Sequence, residues 1–294
     1  MGKFNLSRES IYKRLRGDVP FTFEQVKKLS LELNFSLDNI DLQFDNAPSI
    51  LYMQSDNKIR PEDAFLGVLQ NYYNTMTRQA RSRDIGSFIT LNRLLILNLI
   101  HSDTLFHFHY YSHMCQANDL PFNYKFSDCI LPEEIRSLQK NINDTYGQVS
   151  NFTFFVDSFV FSKTLLEIRY YFERKLISNK EYSLLKSELN EEINMFEILT
   201  RKGEYIIPGK FFYYRSILPI PFNSVYSWYD DNAELSIYNY SMNPFISTNN
   251  KNINAFHLQW IDSLKKRSVL MTQSNEQLQE SFFNDLRAQL RSIL

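Results

Sequence analysis

Glycine and proline are scarce: seven and nine in 294 residues, where ordinary usage would supply about 35 together. The shortage argues against flexible linkers and elaborate loop scaffolds and favours helices. None of the glycines cluster, so the loops that cradle phosphates (G-x-G-x-x-G or G-x-x-x-x-G-K) are missing, and so is the G-x-S-x-G nucleophile elbow. Two cysteines, Cys115 and Cys129, are too few for a disulfide framework or a four-cysteine zinc site. Long apolar runs are missing too. Leu94 to Leu97 is typical of the longest, far below the roughly 18 residues that a membrane helix needs. Met1 to Leu6 holds no apolar signal-peptide core, and a cytoplasmic protein is expected. A net charge of −1 gives no overall bias toward nucleic acid. The composition that remains, 44% apolar and 15% aromatic, is enough to fill a large core.

The charge is unevenly placed. Residues 1–17 hold Lys3, Arg8, Lys13, Arg14 and Arg16 against Glu9 alone, so this stretch carries +4 and the other 277 residues −5. Ser7 fits an N-cap, Ile11 and Leu15 follow at helical spacing, and Gly17 stands where a left-handed residue ends a helix. Thr22 and Gln25 fit a capping box, with Phe21 placed to staple onto Val26. Val26, Leu29 and Leu33 then share a face. Ser36 caps a third short helix opening Leu37-Asp38-Asn39-Ile40.

The run Asn5-Leu6-Ser7-Arg8-Glu9-Ser10-Ile11-Tyr12-Lys13-Arg14-Leu15-Arg16-Gly17, followed by Thr22 to Ser36-Leu37-Asp38, resembles the second half of a lambda-repressor-type helix-turn-helix domain. The resemblance implies that residues 8–16 are the recognition helix. Arg8, Glu9 and Ser10 would then face base edges in the major groove of double-stranded DNA. Lys13, Arg14 and Arg16 would make base or phosphate contacts, and Tyr12 would reach a phosphate or pack on the neighbouring helix. Such a domain has two helices before the recognition helix, and this chain opens within or just after the second. The helices expected to cover Ile11, Leu15, Val26 and Leu29 are therefore missing, at roughly 1.5 to 3 kcal/mol per unburied side chain. Either the start lies upstream, or this is a truncated relative, or the helices repack elsewhere; the expectation is one of the first two, with a reading frame continuing for about 15 to 30 more codons as an amphipathic pattern.

Beyond residues 1–42, the stretch 43–60 has little periodicity and reads as a linker. Residues 61–294 read as a mainly helical regulatory or dimerisation domain. Pro61 opens a helix carrying Phe65, Val68, Leu69, Tyr72 and Met76 on one face. Further helices are predicted at Ser87 to His101, Asp103 to Asn118, Glu133 to Thr145 and Lys163 to Ile177. A capping box at Ser178–Glu181 starts a long helix ending before Gly203, antiparallel to its predecessor. Lys210 to Ser216, Asn223 to Tyr229 and Glu234 to Tyr240 read as a three-stranded antiparallel meander. Helices return at Asn254 to Arg267 and from Ser274, with Gln277 as box partner. The predicted fold class is thus mainly α, essentially all-α, with a small β meander.

The body resembles a large, little-characterised family of bacterial helix-turn-helix regulators with a mainly helical C-terminal region. The residues that carry this are Arg83-Asp84-Ile85, Tyr170-Tyr171-Phe172-Glu173, Ser247-Thr248, Trp260-Ile261, Lys266-Arg267-Ser268 and Phe282-Phe283-Asn284-Asp285-Leu286-Arg287. The family implies no particular ligand.

Other constellations compete weakly. His109 and His113, at i and i+4, are able to share a metal. His107 and Cys115 lie about 200° around the helix from one or other of them, and the set reads instead as flanking a Phe106, Tyr110, Met114 core stripe. Tyr213, Tyr214, Tyr226, Trp228, Tyr229, Tyr238 and Tyr240 alternate along the meander, so one face packs and the other is free to line a ligand pocket. Glu133-Glu134 and Glu191-Glu192 read as solvated helix positions, and Asp230-Asp231 as a turn. No catalytic constellation and no cofactor or metal motif emerges. The expectation is a non-enzymatic DNA-binding transcriptional regulator. It would be a homodimer spanning two half-sites, with no membrane contact and a body that senses an effector or dimerises. The alternative is a ligand- or protein-interaction module that has lost DNA binding through truncation.

Overall fold

The computed structural model describes residues 7–33, 60–81, 85–117, 120–146, 151–202, 211–229, 234–239, 245–272 and 275–294. The chain divides into two compact units, Met1–Ile50 and Leu51–Leu294. The third N-terminal helix near residue 37, nearly all of the 43–60 linker, Arg83-Asp84, Asp230-Asp231 and Tyr240 lie outside the described residues.

The first unit contributes α1 (Arg8–Leu15) and α2 (Phe23–Leu33). In the second, α3 (Pro61–Arg81) precedes β1 (Gly86–Leu91), and a 3-10 turn at Ile96–Leu99 leads to α4 (Asp103–Ala117) and α5 (Glu133–Tyr146). Then come β2 (Phe152–Val156), α6 (Ser162–Glu173), α7 (Asn179–Lys202), β3 (Phe211–Ser216), β4 (Asn223–Trp228), β5 (Glu234–Asn239) and β6 (Phe245–Thr248). The chain closes with α8 (Lys251–Lys266), β7 (Ser268–Leu270) and α9 (Glu276–Ile293). Among the described residues, no helix is long and apolar enough to cross a membrane.

The seven strands form one sheet in the order β6-β5-β4-β1-β2-β3-β7. This overturns the mainly α expectation: the body is α/β around a mixed sheet. β1, β2 and β3 are parallel neighbours, joined through α4–α5 and then α6–α7, while β4, β5, β6 and β7 pair antiparallel at the flanks. The three strands expected to form a meander exist, but β3 does not pair with β4. β3 lies between β2 and β7, and β4 lies between β1 and β5. The predicted helix from Ser87 is in fact β1 followed by the 3-10 turn. Phe88, Leu91, Leu94 and Leu95 fit a helical face as well as a buried strand, and periodicity alone does not separate the two. Pairing of Ser87–Leu91 with Phe152–Val156 decides the matter.

The sheet is covered unequally. On one face Ile89, Leu91, Phe152, Phe154, Val156, Phe211 and Tyr213 join the main core with α3, α4, α5, α6, α7 and α9. On the other, Phe88, Phe155, Tyr214 and Tyr226 pack under α8 through Ile261 and Leu264. A central parallel strand buried on both faces needs apolar residues at nearly every position, hence Phe152-Thr-Phe-Phe-Val156. Where α3 crosses the β1–β4 pair, Ser87 Oγ and Ser227 Oγ lie 2.8 Å apart, and Gln79 Nε2 donates to Ser87 Oγ at 3.0 Å.

Most helix boundaries follow the sequence rules. Ser178 and Glu181 form the expected capping box, the backbone N–H of Ser178 donating to Glu181 Oε2 at 2.7 Å and that of Glu181 to Ser178 Oγ at 3.3 Å. The last helix is capped by Asn275, whose side chain accepts from Leu278 N; Ser274, where the helix was expected to begin, lies outside the described residues.

Candidate functional site

In the first unit, α1 is built by its caps. The backbone N–H of Ser10 donates to Ser7 Oγ at 3.2 Å. At the other end Gly17 adopts φ +80°. Its N–H donates to Arg14 O at 3.0 Å and the N–H of Asp18 to Lys13 O at 2.9 Å. These are the two bonds of a Schellman stop, which a Cβ at Gly17 would strain. Thr22 N donates to Gln25 Oε1 at 3.0 Å, completing the α2 capping box. Gln25 Oε1 also accepts from Arg14 Nε at 3.1 Å, tying α1 to α2.

That bond sorts the expected nucleic-acid residues. Arg14 is half-buried and also donates to Ser10 O and Ser10 Oγ, so both side chains are engaged within the helix pair. Arg8, Glu9, Tyr12, Lys13 and Arg16 are exposed. Lys13 pairs with Glu9 at 3.1 Å, Arg16 with Asp18 at 3.4 Å, and the Arg8 guanidinium sits 5.8 Å over the Tyr12 ring. Exposed pairs of this kind contribute little and are readily exchanged for phosphate. No residue of α1 is buried.

In the second unit, a cavity of about 320 Å³ opens beside the carboxyl ends of β1 and β2. This is the edge where parallel sheets characteristically receive ligands, and the volume is at the lower end for small-molecule sites. Leu91 and Val156 end the two strands there; Phe154 and Tyr213 form the floor; Met195, Phe196 and Leu199 of α7 form a wall. The polar lining among the described residues is Asn98, His101 and Glu192.

Glu192 was expected in solvent, yet it is half-buried, and Ser102 Oγ donates to its Oε1. Burial raises its carboxyl to about 7, with the neighbouring charges of Glu188 and Glu191 adding to the rise. One turn earlier, Glu188 accepts from the N–H groups of Thr104 and Leu105 at 3.2 and 2.8 Å. It thereby satisfies the open N-terminus of α4. In the pattern, Glu188 and Glu192 are simply i, i+4; no local signal distinguished them from Glu191.

A folded-state pKa above the ordinary glutamate value means that the native protein holds a proton which the unfolded chain releases. Glu192 therefore lowers stability as pH rises from about 4.5 toward 8. Glu192→Gln is expected to be more favourable at pH 8 than at pH 5 by about 2 kcal/mol relative to wild type. Urea denaturation at both pH values measures this, and an equal difference at the two would refute it.

A second, more polar recess lies beside α8, with Arg78, Tyr226, Tyr229, Glu234, Lys251 and Asn254 among its walls. The Arg78 guanidinium stacks 4.0 Å over the Tyr229 ring. Beneath α8, His257 bridges two serines: Nε2 lies 2.9 Å from Ser224 Oγ and Nδ1 2.9 Å from Ser236 Oγ. Ser224 and Ser236 are both 0% exposed, so neither hydroxyl is placed to meet a substrate.

No protein-family model matches the chain, and no curated protein is significantly similar to it.

His107 and His113 of α4 meet different backbone carbonyls. His107 Nε2 is 2.7 Å from Cys129 O and His113 Nε2 is 3.0 Å from Pro61 O, while His109 is buried beside the Phe65 ring. Among the described residues, no three His, Cys, Asp or Glu side chains gather as metal ligands. Of the aromatic residues singled out as possible pocket lining, Tyr213 does line the cavity, and Tyr226 and Tyr229 line the recess.

Proposed function

We propose that the protein is a cytoplasmic DNA-binding transcriptional regulator in which α1 enters the major groove and the α/β body senses a small effector or dimerises. The reading is carried by α1. A short helix stopped by caps at both ends presents Arg8, Tyr12, Lys13 and Arg16 to solvent, and its first turn, Arg8 and Glu9, is exposed where this docking mode meets base edges. Ser10 and Arg14 hold the helix against α2 rather than reading bases. Phosphate anchoring falls to Lys13, Arg16 and Tyr12.

Selection from random duplexes, followed by titration across salt concentrations, tests the reading. Arg16→Ala is expected to weaken binding on all sequences and reduce the salt slope by about one. Arg8→Ala is expected to relax preference at one position. Unchanged affinity and slope in the Arg8→Ala/Lys13→Ala/Arg16→Ala variant would remove α1 from the interface.

A second reading has its own support: Leu15 and Phe23 are exposed, and Ile11 and Val26 only half-buried. Such a surface also suits a protein partner, and a chain without salt-sensitive DNA affinity would favour an interaction module.

A further inference from the structure

The cavity at the ends of β1 and β2 combines three features. Its walls are aliphatic and aromatic, with Leu91, Leu94, Val156, Phe161 and Leu199 on all sides. No described lining residue is lysine or arginine, so a carboxylate, phosphate or sulfate would enter without a counter-charge. Glu192, the one acid among its described lining residues, is bound by Ser102 at Oε1 only, and Oε2 has no hydrogen bond among the described residues.

We propose that this cavity binds a small aliphatic amine, its hydrocarbon chain among Leu91, Leu94, Val156 and Phe161 and its ammonium group donating to Glu192 Oε2. The ammonium supplies the charge that Glu192 lacks, and Glu188 and Glu191 on the same helix deepen the negative potential at the polar end. Asn98 and His101 complete the polar part of the lining. The inference deepens the effector-sensing part of the function proposed above and rests on that part for its biological role. Ligand binding is read directly, so loss of the DNA-binding reading and loss of this one are separate results.

Isothermal titration of the full chain with heptylamine, 1-heptanol and heptanoate, at pH 6 and pH 8, isolates the headgroup at constant chain length. Heptylamine is cationic at both pH values. Glu192, at about 7, is mostly protonated at the lower and mostly ionised at the higher. Heptylamine affinity is expected to rise about tenfold from pH 6 to pH 8, with heptanol weaker and independent of pH and heptanoate weakest. Glu192→Gln, which keeps the shape and an acceptor for Ser102, is expected to lower heptylamine affinity at pH 8 about tenfold and to flatten the pH dependence. Leu199→Trp, filling the cavity, is expected to abolish binding of all three. The proposal is overturned if heptanoate or heptanol binds as tightly as heptylamine at pH 8. It is equally overturned if Glu192→Gln leaves heptylamine affinity and its pH dependence unchanged, or if no probe binds.

Discussion

Gly86→Ala is expected to destabilise the body by about 3 kcal/mol, the upper range for overpacking a closed site. Gly86 opens β1 and faces Trp228 across the β1–β4 ladder. A Cβ there would stand 2.0 Å from Trp228 Cζ2 and 2.3 Å from Cη2, far inside contact distance. The indole has little freedom to retreat. It lies 5.1 Å from the Phe88 ring and 6.3 Å from Tyr226, within the layer beneath α8. The glycine is thus required by the close approach of a ring rather than by a turn. If the clash is the cause, removing the ring must undo it. Trp228→Leu is expected to cost stability in wild type but to recover most of the Gly86→Ala loss in the double variant, a coupling of more than about 1 kcal/mol. Chemical denaturation of the four proteins gives the cycle. Additive losses would show that Gly86 matters for some reason other than Trp228. With two tryptophans in the chain, the emission of Trp260 follows unfolding once Trp228 is gone.

Gly86 also shows what was and was not legible in the sequence. Caps are local chemistry: Ser7, Gly17, Thr22–Gln25 and Ser178–Glu181 were readable because each cap bonds within a few residues of itself. The helices they bound fell close to the expected places. Sheet order is not local. Gly86 meets Trp228, and Phe88 meets both Thr153 and Tyr226, over separations that no window of residues contains. Three strands were recognised by their aromatic alternation, yet consecutive order suggested a meander. In the structure the parallel crossovers carry β3 to the far side of β2 and leave β4 beside β1. Residues 87–101 read as helix from sequence because Phe88, Leu91, Leu94 and Leu95 fit either periodicity.

The arrangement around the two candidate sites was legible to a similar degree. The outward basic residues of α1 follow from helical spacing alone. That Arg14 and Ser10 turn inward depends on Gln25, eleven residues beyond Arg14. The cavity was invisible because its parts come from β1, β2, β3 and α7. Glu192 acquires its character only when Ser102, ninety residues away, folds against it.

Acidification from pH 7 to pH 4 is expected to remove about 3 kcal/mol of stability through His257. The imidazole lies under α8 among Tyr226, Tyr238 and Trp260, with ring centroids 5.8, 4.7 and 6.0 Å away. Burial pushes its pKa down to about 4. The polar chain around it runs in one direction. Ser236 Oγ donates to Asn254 Oδ1 at 2.7 Å, so it accepts from His257 Nδ1–H. Nε2, left as the acceptor, takes the proton of Ser224 Oγ, which in turn lies 2.8 Å from Thr90 Oγ1. A neutral ring satisfies both ends. A protonated ring would turn the Ser224 hydroxyl back onto Thr90 Oγ1, whose own hydroxyl donates to Phe222 O, and would leave its charge in a buried layer with no carboxylate among the hydrogen-bond partners. Because the folded pKa lies below the ordinary value of about 6.5, this contribution is fully present above that pH. It is lost as pH falls toward 4. His257→Gln is expected to be less stable than wild type at pH 7, by about 2 kcal/mol, and the gap should close by pH 4, since glutamine does not titrate. Comparing the two proteins at each pH cancels Glu192, whose protonation works in the opposite direction. A gap that stays constant from pH 7 to pH 4 would mean that His257 is already charged or solvated in the folded protein, and the one-way chain from Thr90 to Asn254 would have to be redrawn.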